Sequence, residues 1–167
     1  MADTGFTHER PSRGATDVWL TPKSIIDILG PFDLDPCAAT DAPWPTAASM
    51  IVDAVNGLNH SWRGLVWCNP PYSDVWTWMS RLADHGSGIG LIFARTETAG
   101  FHKTVWQRAD AIAFPKRRIR FCLPDGTPGR THAGAPSCFV AYGDEAVNRI
   151  EKLSDVAIVY LKDARRG

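Results

Sequence analysis

The residues best suited to chemistry are Asn69, Pro70, Pro71 and Tyr72, four in a row. The Asn69 side-chain oxygen and the Pro70 carbonyl are both acceptors, and a planar exocyclic amine has N–H donors for both. Proline restricts the backbone on each side, so the tetrapeptide fixes the two acceptors close together. Two acceptors on one amine draw its nitrogen lone pair out of conjugation and make it a nucleophile. Tyr72 offers a ring face for stacking on the heterocycle that carries the amine. A plain surface turn with a packed tyrosine would use the same four residues, and a match this short also arises by chance.

The neighbouring segments must position this turn. Residues 64–68 (Gly64, Leu65, Val66, Trp67, Cys68) form a short apolar run that reads as a buried strand. Ser73 and Asp74 then read as the cap of a helix with Val75, Trp78, Met79 and Leu82 on one face. A polar amide and an aromatic ring thus sit at the end of a strand, where open α/β sheets bind ligands. Upstream, Thr21 as N-cap, Pro22 at the first helical position and Gly30 beyond the end bracket a helix with Ile25, Ile26, Ile28 and Leu29. Phe32, Asp33, Leu34 and Asp35 read as a strand broken at Pro36, with Asp35 at its end. Small residues follow (Cys37, Ala38, Ala39) and let a ligand approach the backbone; a carboxylate there can hold an ammonium or a hydroxyl. A common Asp-Pro surface turn has the same appearance.

Residues 40–49 read as a loop, 50–53 as a second short strand ending in Asp53, and Asn56, Gly57 and Leu58 as a turn. Strands are expected over 88–94, 111–114, 137–142 and 156–161, with helices over 98–108 and 144–153. Arg95, Thr96, Glu97 and Thr98 make a polar cluster at the same edge as Asn69. Residues 116–121 are the most basic stretch. As a strand they place Arg118 and Arg120 on one face, Ile119 and Phe121 on the other. A Gly-rich, mobile loop through Gly134 is expected next. The basic cluster suits a phosphate contact or an ordinary solvated face. Strands alternating with helices give an α/β sheet with helices on both faces.

Whole-chain properties bound the answer. With 167 residues, 44% apolar and 22% charged, one globular domain over 17–167 is expected, preceded by a flexible arm over 1–16. The net charge is zero, so nucleic-acid binding requires a local patch. Cys37, Cys68, Cys122 and Cys138 show no CxxC pair and no zinc-type spacing; reduced thiols and no metal are expected. No signal peptide or membrane-length apolar run is read, which suggests the cytoplasm, or a host's cytoplasm for a phage-encoded chain.

Taken together, several pieces resemble the phage-type (Dam-like), S-adenosylmethionine-dependent DNA N6-adenine methyltransferases. They are Trp19-Leu20-Thr21-Pro22, the Asp33-to-Ala38 segment, Asn56-Gly57-Leu58, Asn69-Pro70-Pro71-Tyr72, the Ala94-to-Thr98 segment and the Arg118-to-Phe121 segment, in the family's order. The resemblance implies a Rossmann-like methyltransferase sheet, mostly parallel with an antiparallel hairpin. It assigns Asn69, Pro70, Pro71 and Tyr72 to catalysis on a flipped-out adenine. It assigns Trp19, Thr21, Pro22, Asp35, Pro36, Cys37, Asp53 and Asn56 to the cofactor, with Asp53 for the ribose and Asn56 near the adenine. Double-stranded DNA would meet residues 116–136, through Lys116, Arg117, Arg118, Arg120 and Arg130, with Arg95 nearby. A homodimer would help so small a chain hold a duplex. One departure is that Ala38, Ala39 and Thr40 stand where many adenine methyltransferases carry a Gly-rich loop.

Three other readings compete. The same turn serves methylation of RNA adenine or of a protein glutamine. A catalytically dead nucleic-acid-binding module would keep the fold. A nucleotide-binding oxidoreductase lacks its glycine fingerprint here.

Overall fold

The computed structural model describes residues 19–130 and 132–162; the arm expected over 1–16 lies outside them. Seven strands form one sheet in the order β2-β1-β3-β4-β6-β5-β7. They are β1 (Leu34–Asp35), β2 (Ser49–Met50), β3 (Val66–Cys68), β4 (Gly88–Phe93), β5 (Ala111–Pro115), β6 (Ser137–Tyr142) and β7 (Ala157–Leu161). β2, β1, β3 and β4 pair in parallel; β6 pairs antiparallel with both β4 and β5, and β5 antiparallel with β7. Five strands therefore run one way, and β5 with β6 makes the expected antiparallel hairpin around a long connection.

Strand alternation builds two cores. Trp67, Ile89, Leu91, Phe139 and Ala141 face one side, where α1 (Lys23–Leu29) and α5 (Asp144–Ile150) bury Ile26, Leu29, Ala146 and Ile150. Val66, Cys68, Ile92, Val140 and Tyr142 face the other, against Trp78, Met79 and Leu82 of α3 (Val75–His85). α3 packs closely because Gly88 and Gly90 lack side chains: a Cβ there would stand 2.8 Å from Leu82 Cδ1 and from Met79 Sδ. Helices thus cover both faces, an α/β architecture consistent with a methyltransferase fold.

Several local expectations change. Pro22, not Thr21, occupies the N-cap of α1, and Thr21 is buried. The alternation in α1 leaves Ile28 exposed. The second strand is Ser49–Met50, earlier and shorter than 50–53, because Asp53 leaves the sheet to cap α2 (Ala54–Asn59). Asn56, Gly57 and Leu58 lie inside that helix rather than in a turn. Gly57 is required there by packing, since a Cβ would sit 1.8 Å from the Pro36 carbonyl oxygen. The helix expected over 98–108 is a short α4 (Ala99–Phe101) continued by a π turn, His102–Trp106. The basic stretch at 116–121 belongs to no ladder. It runs extended with Ile119 and Phe121 buried and Arg118 and Arg120 exposed, and joins the fold through isolated bridges, Leu20 to Cys122 and Cys122 to Pro128.

Candidate active site

The parallel strands end at one edge, and the turn at 69–72 leaves β3 there. Asn69 is half-buried, Pro70 buried, and Tyr72 begins a short 3₁₀ turn (Tyr72–Asp74) leading into α3. The Asn69 Nδ2 donates to the Trp19 carbonyl and to Thr21 Oγ1, each at 3.4 Å. Both N–H bonds of the amide are therefore directed back into the protein. The Oδ1 has no donor among the described residues and remains an acceptor beside the Pro70 carbonyl. Asp74 accepts from Thr77 Oγ1 at 2.6 Å but makes no side-chain cap bond to the backbone.

The Tyr72 ring is 45% exposed and stacks on Phe93, with centroids 4.1 Å apart and planes 7° from parallel. One face is covered by Phe93 and the exposure belongs to the rest of the ring. Sequence reading placed Phe93 only in an apolar strand. Its position as the last residue of β4 is the signal that it reaches this edge.

Asp35 ends β1 and is 3% exposed. Its Oδ1 accepts from the Cys37 backbone N–H at 3.1 Å, and Oδ2 takes a short hydrogen bond from Thr46 Oγ1. Burial pushes its carboxyl up from 3.8 to about 6, although these two hydrogen bonds pull it down. No cation faces it among the described residues, so the site suits a positively charged ligand that would restore the ionised form. Thr46 lay in a stretch that reads as plain loop and carries no periodic signal. Ala38, in place of the Gly-rich loop, is buried and donates its N–H to the Ile51 carbonyl at 3.0 Å. Asp33, two residues before Asp35, serves the other end of β1: it accepts from the Leu65 N–H at 2.6 Å.

The Asp35 and Asn69 segments meet at sulfur. Cys37 Sγ lies 3.7 Å from Cys68 Sγ, both thiols are free, and the Asn69 backbone N–H points at the Cys37 sulfur. The Cys68 thiol and burial push the Cys37 thiol well up, so it stays protonated. Asp53 and Asn56 line a groove of about 540 Å³ with Met50, Ile51 and Val52. Asp53 is engaged as a cap: Oδ1 accepts from the Val55 N–H at 2.9 Å and Oδ2 from Asn56 Nδ2 at 2.9 Å. A larger groove of about 640 Å³ opens at the opposite edge, by Asp33 and Gly64, away from Asn69.

The basic residues divide. Arg118 donates to the Ala133 carbonyl at 2.9 Å and Arg120 to the Gly129 carbonyl at 2.6 Å, so both brace the connection expected to be a mobile loop. Gly129 and Ala133 return backbone bonds of 2.8 and 3.1 Å to Phe121 and Ile119. Lys116 reaches the Asp155 carbonyl at 3.0 Å. Among the described residues Arg95, Arg117 and Arg130 are exposed and make no side-chain hydrogen bond. The tip of the connection packs on the 40–49 loop, where a Cβ on Gly126 would stand 2.8 Å from both Pro43 and Trp44.

The model of the DNA N-6-adenine-methyltransferase (Dam) family matches residues 10–163. The chain belongs to that family. The match covers every element described above from Trp19 to the last strand, so the turn at 69–72, Asp35 and the basic connection all lie within it. As a Dam family member the chain is a methyltransferase by family, and DNA is the acceptor class the family implies. No curated protein and no solved structure matches the chain. No helix among the described residues is long and apolar enough to cross a membrane.

Proposed function

We propose that the chain transfers a methyl group from S-adenosylmethionine to the exocyclic N6 of an adenine flipped out of duplex DNA. The observation that carries this reading is the Asn69 amide. Its nitrogen is engaged by Trp19 and Thr21, which leaves Oδ1 and the Pro70 carbonyl to receive the two N–H bonds of one amine.

Bound S-adenosylmethionine supplies a methyl group on a sulfonium, an electrophile that departs from sulfur without the bonding pair. Asn69 Oδ1 and the Pro70 carbonyl hold the amine and raise the availability of its lone pair for in-line attack. Tyr72, backed by Phe93, stacks on the flipped base, which cannot be reached inside the duplex. The amine proton released after transfer leaves to water. The buried Asp35 carboxylate, which no cation faces among the described residues, fits the ammonium of the donor, with Pro36 and Cys37 beside it. Asp53 and Asn56 line the groove read for its ribose and adenine, while Trp19 and Thr21 back Asn69, with Pro22 following at the N-cap of α1. Arg117, Arg118, Arg120 and Arg130 are read as phosphate or base-edge contacts, with Arg95 at the rim and Lys116 at the periphery.

The test is methyl transfer from labelled S-adenosylmethionine to unmethylated duplex DNA, with RNA and protein as parallel acceptors and digestion to nucleosides. Label in N6-methyladenine of DNA is the expected result. Label only in RNA or protein would keep the site and replace the acceptor. Cofactor binding without transfer to any acceptor would overturn the reading.

A further inference from the structure

We propose that Thr21 is a positioning residue that holds the plane of the Asn69 carboxamide, whose sense the Trp19 carbonyl sets, rather than a cofactor contact. The inference rests on the reading of Asn69 as the acceptor of the substrate amine. A primary amide has two nearly isosteric orientations, and only one presents oxygen to an amine. The exchange is opposed from behind. The Trp19 carbonyl is an acceptor only, 3.4 Å from Nδ2; rotating the amide would set two oxygens against each other. Thr21 Oγ1 takes the second N–H at 3.4 Å and holds the amide plane.

The clamp is itself held in place. Thr21 is 3% exposed, so water does not replace its hydroxyl. Leu20, between the two acceptors, exchanges both backbone hydrogen bonds with Cys122 at 2.9 Å. Thr21 lies 48 residues from Asn69 in the chain, and no other side chain hydrogen-bonds that amide among the described residues. The same bridge ties the clamp to the connection that carries Arg118 and Arg120.

The experiment compares Thr21→Val and Thr21→Ser in the full chain, each first checked for an unchanged melting temperature. Valine keeps the shape and removes the acceptor; serine keeps the acceptor. The expected result for Thr21→Val is a fall in kcat of about tenfold with S-adenosylmethionine affinity unchanged, and near-complete rescue in Thr21→Ser. In ¹⁵N–¹H spectra, the side-chain amide pair assigned to Asn69 by its loss in Asn69→Ala should shift in Thr21→Val and return in Thr21→Ser. Weakened cofactor binding with kcat intact would overturn the proposal in favour of a cofactor contact. An unshifted amide pair with wild-type kcat would also overturn it. Should the wild-type chain methylate no acceptor, the fault lies with the proposed function, and the amide spectra alone decide the clamp.

Discussion

The turn at 69–72 and the connection at 117–135 stand at the same end of the sheet and are held in different ways. Two consecutive prolines shape the turn through covalent restriction, and the tertiary fold adds the backing of Trp19, Thr21 and Phe93. The connection has one local constraint, the turn at Asp125 and Gly126, where Asp125 Oδ1 accepts from the Thr127 N–H and hydroxyl. The rest is held by Arg118 and Arg120 donating to the Ala133 and Gly129 carbonyls, by the backbone bonds from those two residues to Ile119 and Phe121, and by the bridges of Cys122 to Leu20 and Pro128. The Asn69 oxygen is thus free to act on a ligand, whereas Arg118 and Arg120 divide their donors between ligand and loop. The difference teaches that a motif can be read where the backbone fixes it, and that charge alone does not say what a cation touches.

The sharpest way to break this contrast is at Asn69. Asn69→Ala should lower kcat on the order of a thousandfold and leave S-adenosylmethionine affinity in calorimetry unchanged, because the acceptor acts on the transition state. Turnover near the wild-type rate would end the argument for the turn.

Asp35 tests whether the wall beside the turn is built for a cation. Its carboxyl titrates near 6 in the folded chain against 3.8 when exposed. Between those values the folded state binds more protons than the unfolded state, so its stability declines as pH rises through that window. Asp35→Asn removes this cost. The variant should be more stable than wild type at pH 7 by up to about 3 kcal/mol, with the gain vanishing near pH 4. The same variant should bind S-adenosylmethionine more weakly. Denaturant melts across pH and titration calorimetry check the two effects, and a stability loss at neutral pH would show the carboxylate to be structurally favourable.

Tyr72→Ala should weaken the apparent affinity for DNA about tenfold to a hundredfold, and Tyr72→Phe should keep most of it, since the ring face carries the effect. Equal losses in both would shift the role to the hydroxyl. The smallest effects belong to the connection. Arg118→Ala with Arg120→Ala should reduce the salt dependence of DNA binding by roughly two charges and also speed amide exchange near Gly129 and Ala133. Arg117→Ala should reduce the salt dependence by roughly one charge without loosening the loop. If Arg117→Ala loosened the loop equally, the division between bracing and free arginines would fail.

Much of the fold was legible in local pattern. Runs such as 88–93 and 137–142 appear as buried strands because both faces of a central strand are covered, and α3 shows its Trp78, Met79 and Leu82 face at helical spacing. The errors fell where short elements compete. Asp53 reads equally well as a strand end or a helix cap, and the cap won because α2 needs an acceptor for its first N–H groups. Lys116 to Phe121 alternates like a strand but has no ladder partner beside it.

The sequence by itself determined the 69–72 turn, the alternating cores, the basic stretch and the family resemblance, because each is written in adjacent residues or in short periodicity. The sequence already set Asp35 at the strand end, and only the tertiary structure decided that it is buried there under Thr46 while the exposed Asp33 braces the Leu65 N–H. It alone brought Thr46 to Asp35, Phe93 to Tyr72 and Thr21 to Asn69. Those contacts join residues 11, 21 and 48 positions apart, and no local propensity encodes which distant side chain a parallel sheet will set beside another.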